Sequence, residues 1–253
     1  MQIVVCIKQV LDTNCEFAPK GKELGVVSPV YVMNEYDVYA INLALALKEK
    51  LGAQIVAFCV GPFISIDMLA SCLAMGVDRA IRIRSEELDT QNPSVVALAL
   101  GQSIRQLNAD LILTGFQAVD DAESQTGILL SEFLGLPNIS GVTDVSIKAS
   151  TAVARFDMGE GIEGVAEVKL PALLTVLSGN STNGYVPLVN KLRLLKRVES
   201  VQFVIGPELV GSVKREVIEY LETKGDRKAA VVSVNPEEAA RLFCQTLAEA
   251  GIS

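Results

Sequence analysis

Short apolar runs alternate with longer segments of helical periodicity along the first half of the chain. The continuous apolar runs are typical of strands buried on both faces of a parallel sheet, and they lie at 3–7, 55–60 and 111–114. The segments in which apolar residues recur every three or four positions lie at 35–50, 66–75, 93–107 and 123–134. An alternating run at 79–84 predicts one more strand, nearer an edge. This order predicts an α/β fold with a doubly wound, mostly parallel sheet, whose ligand crevice lies at the carboxyl ends of the strands.

Two of the predicted helices begin with residues typical of helix caps. Asn34, followed three residues later by Asp37, resembles a capping box. Asn92 places a cap directly before Pro93 at the first helical position. We therefore expect the side chains of Asn34 and Asp37 to serve the start of their own helix.

The pattern changes after residue 140. Strand-like segments separated by turns follow one another at 143–148, 152–157, 165–169 and 172–177. We expect them to form an antiparallel addition to the same domain. The spacing of Gly159, Gly161 and Gly164 matches a dinucleotide-binding turn, but a strand follows instead of a helix, so these glycines predict a hairpin turn.

The last quarter of the chain is weakly specified. A basic helical stretch at 192–197 precedes an irregular segment, a predicted strand at 230–234 and a predicted helix at 236–250. We expect one α/β nucleotide-binding domain over residues 1–200 and a C-terminal arm over residues 201–253 that embraces a partner.

Composition excludes several classes of function. Twenty-two basic and thirty acidic side chains give a net charge of −8, which repels nucleic acid. The chain has no His, which excludes Ser-His-Asp catalysis and His-ligated metal, and its five cysteines form no C-x-x-C pair, so we expect no metal site. We also expect no membrane-spanning helix, and a location in the cytoplasm of a bacterium or archaeon or in the mitochondrial matrix of a eukaryote.

The candidate chemistry lies in a polar loop between a buried strand and a helix, within residues 111–127. Free backbone N–H groups at the start of that helix, near Ser124, Gln125 and Thr126, favour an anionic phosphate. Asp121 adds a carboxylate that can accept hydrogen bonds from a ribose. The same residues also fit helix capping without any ligand. The pattern alone leaves both interpretations open.

The chain resembles the beta subunit of electron transfer flavoprotein over nearly its whole length. The matching segments keep the order and spacing of the family: VCIKQVLDT at 5–13, MNEYDVYAINLALALKE at 33–49, LAMGVDRAIRI at 73–83, GFQAVDDAESQTG at 115–127, KLPALLTV at 169–176 and NGYVPLVNKLRLLKR at 183–197. The resemblance implies an adenine nucleotide alpha-hydrolase-like fold. It also implies a heterodimer with an alpha subunit that carries the redox-active FAD. We expect the arm at 201–253 to dock on that subunit.

The resemblance further implies an electron carrier without catalytic residues, not an enzyme in its own right. Electrons pass from flavoprotein dehydrogenases, such as the acyl-CoA dehydrogenases of fatty acid beta-oxidation, to a quinone-linked oxidoreductase. In the family this subunit holds AMP or, in electron-bifurcating members, a second FAD. The positions that match the nucleotide site are Cys6, Lys8, Asn34, Val60, Gly61, Gln117, Ala118, Asp121, Ser124, Gln125 and Thr126. Tyr36 and Thr13 match positions near the alpha-subunit FAD, and Leu188 matches the apolar tip that contacts partner dehydrogenases.

The loop at 120–126 distinguishes the two nucleotides within the family. AMP-binding members tend to read D-D-D-x-N-Q-T and bifurcating members D-G-D-T-A-Q-V-G, whereas this chain reads DDAESQT. It is closer to the first pattern, and Asp121 in place of glycine leaves less room for a dinucleotide. We therefore expect AMP. Two alternatives stay open: a bifurcating subunit that binds FAD and oxidises NADH, and a stand-alone nucleotide-binding regulatory module.

Overall fold

The computed structural model describes residues 1–84, 90, 92–179, 187–203, 218–220, 235–249 and 251. The helices are α1 (Glu35–Leu51), α2 (Ser65–Met75), α3 (Pro93–Ile104), α4 (Thr126–Leu134), α5 (Leu188–Leu194) and α6 (Pro236–Glu249). The strands are β1 (Gln2–Cys6), β2 (Gln9–Leu11), β3 (Phe17–Lys20), β4 (Glu23–Val26), β5 (Tyr31–Met33), β6 (Gln54–Gly61), β7 (Arg79–Arg84), β8 (Leu111–Gly115), β9 (Asn138–Lys148), β10 (Thr151–Asp157), β11 (Glu163–Lys169), β12 (Ala172–Val176) and β13 (Glu199–Gln202). The predicted strand at 230–234 lies outside the described residues.

Nine strands form one twisted sheet in the order β11-β10-β9-β12-β8-β1-β6-β7-β13. Strands β12, β8, β1, β6, β7 and β13 are parallel to their neighbours in this series, and β9, β10 and β11 pair antiparallel at one end. The predicted α/β fold with a mostly parallel sheet is therefore confirmed. The glycine-rich segment forms the predicted hairpin turn between β10 and β11, where Met158 N donates to Ile162 O at 2.9 Å.

Strand β12 corrects one prediction. The segment at 172–177 was expected in the antiparallel addition, but β12 pairs parallel with both β8 and β9. All five of its residues, Ala172–Val176, are buried. A strand buried on both faces belongs in the interior of a sheet that helices cover on each side.

Two apolar cores cover the two faces of the sheet. Alternate residues of β1 point to opposite cores: Val5 packs in the core that contains α1 and α2, and Val4 packs in the core that contains residues of α3 and α4. Helices on both faces leave only the ends of the parallel strands open to a ligand. Within the described residues, no helix has the length and the apolar character that crossing a bilayer requires.

Candidate functional site

A cleft opens where β1, β6 and β8 end. Strand β1 lies between β8 and β6, so later strands are added on both sides of β1. The loops that follow these strands therefore diverge and leave a crevice between them. The volume of the cleft is about 1030 Å³ when the part open to solvent is included. Ligands of open α/β sheets bind in such a crevice, outside the carboxyl ends of the strands.

All eleven residues that the resemblance assigns to a nucleotide line this one cleft. They are Cys6, Lys8, Asn34, Val60, Gly61, Gln117, Ala118, Asp121, Ser124, Gln125 and Thr126. They come from four separate parts of the sequence, and the fold brings them together at the ends of three strands and the starts of two helices. The lining also includes three apolar residues of α3, Pro93, Val96 and Leu100, which the sequence did not point to.

Lys8 holds the acidic loop of the cleft. Its Nζ lies 2.7 Å from Asp120 Oδ1 and 2.7 Å from Asp121 Oδ2. Burial lowers the pKa of Lys8, but the hydrogen bonds and charges of the two carboxylates outweigh that effect and raise the pKa above its ordinary value. Lys8 is the one basic side chain among the described residues that line the cleft. It therefore offsets part of the negative charge of Asp120, Asp121 and Glu123, which line the same cleft.

Asn34, directly before α1, holds the cleft loop by two hydrogen bonds. Asn34 Nδ2 donates to Gln117 O at 2.8 Å, and Asn34 Oδ1 accepts from Val119 N at 3.1 Å. The predicted capping box is therefore wrong, since the side chain of Asn34 makes no cap hydrogen bond to its own helix. The side chain bonds to the loop at 117–119 instead, because this loop offers it both a donor and an acceptor from the main chain.

Asp37 joins the ends of two strands rather than capping α1. Its buried carboxyl accepts from Lys8 N at 2.6 Å and from Gly115 N at 2.9 Å. These N–H groups end the ladders of β1 and β8, where neighbouring strands no longer provide an acceptor. Burial raises the pKa of this carboxyl from 3.8 to about 7, against the opposing effect of the two backbone donors.

The raised pKa of Asp37 predicts a pH dependence of stability. Between about pH 4 and about pH 7 the folded state keeps a proton that the unfolded state has released, so this carboxyl lowers stability as the pH rises. An Asp37→Asn variant cannot ionise. Its deficit in unfolding free energy against wild type, measured by urea denaturation, should shrink as the pH rises through that window.

Asp78 provides a control of opposite sign. Burial raises its pKa, but the hydrogen bond and charge of Lys48 and the N–H of Ile55 outweigh it and lower the pKa below the usual 3.8. Asp78 therefore stabilises the fold above its unfolded-state pKa and loses that effect as the pH falls. The deficit of Asp78→Asn should grow with rising pH. A deficit of Asp37→Asn that also grew would contradict the assignment of the raised pKa.

Helix α4 begins later than predicted. The sequence placed a helix at 123–134, but α4 starts at Thr126 because Ala122 and Ser124 have positive φ values of 52° and 55°. Its first N–H groups have no acceptor within the helix, and its first two residues, Thr126 and Gly127, line the cleft. Gly127 lets α4 approach the sheet, since a Cβ there would lie 2.6 Å from Thr114 Oγ1 and 2.7 Å from Thr175 Cγ2.

The three remaining predicted residues lie outside the cleft. Tyr36 is half-buried on α1, with its ring 6.4 Å from that of Tyr39 and 6.5 Å from that of Phe116. Thr13 is exposed in the turn after β2. Leu188 is the first residue of α5 and is 61% exposed. Their proposed contacts with other chains remain predictions.

Comparisons with known proteins agree with this architecture. The Electron transfer flavoprotein domain family matches residues 26–187. The electron transfer flavoprotein subunit beta of Syntrophomonas wolfei is 33% identical over 176 residues, which cover 69% of this chain and 69% of the relative. The corresponding subunit of Methylophilus methylotrophus is 28% identical over 256 residues, which cover 96% and 97%.

A third relative is named as part of a larger complex. It is the caffeyl-CoA reductase-Etf complex subunit CarD of Acetobacterium woodii, 33% identical over 178 residues, which cover 69% of this chain and 68% of the relative. The family match covers more than half of the chain, and the relatives named as beta subunits extend the likeness over nearly all of it. The chain therefore belongs to the electron transfer flavoprotein family, as a beta subunit.

Proposed function

We propose that this chain is the AMP-binding, electron-carrier beta subunit of a heterodimer whose alpha subunit holds the redox-active FAD. One observation carries the proposal: the eleven residues expected around a nucleotide line a single cleft at the switch point of the sheet. FAD on the alpha subunit supplies the one- and two-electron chemistry when bound. The residues of this chain bind and orient; they exchange no electrons in the proposal.

The chemistry of the cleft suits a nucleoside monophosphate. The free N–H groups at the start of α4 and the hydroxyl of Thr126 are donors for a phosphate. Asp121 is the proposed acceptor for ribose hydroxyls, and the main chain at Cys6, Val60 and Ala118, which line the cleft, is proposed to pair with adenine. The apolar wall of α3 gives the base a surface to pack against.

The side chain of Asp121 favours AMP over a second FAD. One oxygen accepts from Lys8 Nζ at 2.7 Å and the other from Glu123 N at 3.2 Å, and each can accept a further hydrogen bond. The carboxylate is therefore fixed inside the cleft, where a dinucleotide would require both space and neutralising charge. A subunit with FAD in the same cleft is the second candidate, because the complex subunit from Acetobacterium woodii is as similar to this chain as the beta subunit from Syntrophomonas wolfei.

Calorimetric titration tests the proposed ligand. The heterodimer, stripped of nucleotide by mild denaturation and refolding, should bind AMP at one site, and excess FAD should not displace it. NADH should not reduce the complex. Displacement of AMP by FAD together with reduction by NADH would favour the bifurcating candidate, and binding without any alpha subunit or flavin would favour the regulatory module.

The surface at Leu188 is proposed to contact partner dehydrogenases. Leu188 is 61% exposed, Val189 is 59% exposed and Leu192 is 53% exposed, so α5 presents an apolar face. An exposed apolar anchor surrounded by polar residues is typical of interface hot spots. The electrons are proposed to pass on to a quinone-linked oxidoreductase, in the bacterial or archaeal cytoplasm or in the mitochondrial matrix.

The arm at 201–253 is proposed to dock on the alpha subunit through α6. None of the residues of α6 is buried within the described part of the chain, and Phe243 is 64% exposed on it. Deletion of residues 230–253 should therefore weaken the heterodimer, and gel filtration at decreasing concentration should show it dissociating earlier than wild type. A matched substitution on the polar side of α6, Glu238→Gln, should leave assembly unchanged. Deletion without effect would remove the arm from the interface.

A further inference from the structure

A chain of hydrogen bonds leads from the cleft to a tyrosine beside it. Ser124 Oγ, in the cleft lining, donates to Gln117 Oε1 at 3.3 Å. The other end of the same amide, Gln117 Nε2, donates to Tyr36 Oη at 2.9 Å. Tyr36 is not one of the described residues that line the cleft. The side chain of Gln117 thus connects the proposed phosphate end of the cleft to a residue that a ligand in the cleft does not touch.

The loop at 117–126, which these hydrogen bonds restrain, contains residues in an unfavourable backbone conformation. Ala122 and Ser124 have φ values of 52° and 55°, in the left-handed region that residues with a Cβ disfavour. Without external contacts the loop would spend much of its time in other conformations. Any ligand that requires the observed geometry would then bind more weakly, because ordering the loop opposes binding.

The first turn of α1 supplies those contacts. Asn34 holds the main chain at Gln117 O and Val119 N, near the beginning of the loop. Tyr36, two residues further on, holds the side chain of Gln117, which in turn holds Ser124 near the end of the loop. The loop is therefore restrained at both ends by one helical turn.

We propose that Gln117 is a positioning residue through which Tyr36 fixes the loop at 117–126 in the conformation that binds a nucleoside monophosphate. This inference rests on the proposed function, since it takes AMP as the ligand of the cleft. The coupling is reciprocal: a ligand that stabilises the loop also stabilises the hydrogen bond to Tyr36. Occupancy of the cleft is then transmitted to the side chain that the resemblance places near the alpha-subunit FAD.

The chain offers conservative substitutions for this test. Tyr36→Phe removes only the hydroxyl and leaves the ring contacts with Tyr39 and Phe116 in place. Gln117→Leu keeps the size of the side chain and removes both hydrogen bonds. Tyr39→Phe is the matched control, because its hydroxyl donates to Glu35 Oε1 at 3.1 Å on the exposed surface of the same helix.

Calorimetric titration of AMP into the nucleotide-stripped heterodimer measures the coupling. Tyr36→Phe and Gln117→Leu should each weaken binding about threefold to tenfold, the range for one net hydrogen bond. The double variant should bind no more weakly than Gln117→Leu alone, because both changes break the same connection. Tyr39→Phe should bind as tightly as wild type.

Two results would overturn the inference. Wild-type affinity in Tyr36→Phe would show that the tyrosine does not restrain the loop, and additive losses in the double variant would show that the two residues act separately. If Gln117→Leu does not fold, as judged by circular dichroism, the pair of Tyr36→Phe and Ser124→Ala gives the same cycle. A wild-type heterodimer that binds no AMP would refute the proposed function itself, and the inference with it.

Discussion

Replacement of Lys8 by alanine is expected to weaken AMP binding about 10- to 100-fold, the range for a hydrogen-bonded charge. Lys8 Nζ lies 2.7 Å from both Asp120 Oδ1 and Asp121 Oδ2. Without the ammonium group, a phosphate in the cleft meets the carboxylates of Asp120, Asp121 and Glu123, with no basic side chain on the described cleft lining. The loop also loses the contact that fixes Asp121.

A comparison of adenosine binding with AMP binding separates this charge effect from a general disruption of the cleft. Adenosine lacks the phosphate, so its weaker binding should change much less in Lys8→Ala than the binding of AMP does. Lys48→Ala is a matched control, since Lys48 pairs with Asp78 at 2.6 Å and does not line the cleft as described. An equal loss for adenosine and AMP in Lys8→Ala would mean that Lys8 acts on the fold of the loop and not on the phosphate.

Alanine at Gly127 is expected to lower the free energy of unfolding by about 1–3 kcal/mol, the usual cost of overpacking, despite the higher helix propensity of alanine. The added Cβ would lie 2.6 Å from Thr114 Oγ1 and 2.7 Å from Thr175 Cγ2. Both threonines are buried in the ends of their strands, so helix α4 has to move away from the sheet. Its N–H groups then leave the position proposed for the phosphate, and AMP should bind about tenfold more weakly.

Ile128→Ala is the control for Gly127→Ala. Ile128 is the next residue of the same helix and is 50% exposed, so its truncation should change stability by about 0.5 kcal/mol or less. Urea denaturation gives the stability of each variant, and AMP titration gives its affinity. Gly127→Ala with wild-type affinity would show that the start of α4 does not bind the phosphate.

The strands and helices around the cleft could be predicted because their signals are local. The runs that became β1, β6 and β8 are continuously apolar, and the cap at Asn92, which accepts from Ser94 N at 3.0 Å, is formed by residues adjacent in sequence. The direction of β12 is set by pairing with β8 and β9, distant in sequence, and its five buried residues fit either orientation. The small sheet β2-β5 also depends on a partner distant in sequence, whereas β3-β4 is a hairpin that turns at Gly21 and was missed.

The residues of the site divide in the same way, into those that the sequence identifies and those whose role depends on distant contacts. Positions in the loop at 117–126 could be identified from their place between a buried strand and a helix, and from the resemblance. The roles of Asn34 and Asp37 could not, because a polar residue at a helix start has the same sequence pattern whether it caps its own helix or bonds across to Val119 and Gly115. Only the approach of α1 to the end of β8 decides between the two.

The nucleotide content of the purified complex tests the central claim most directly. The chain is co-purified with its alpha subunit, the complex is denatured, and the released FAD and AMP are quantified by chromatography. We expect one FAD and one AMP for each heterodimer, with a lower AMP content and an unchanged FAD content in Lys8→Ala. Two FAD and no AMP would contradict the account and place a second flavin in the cleft.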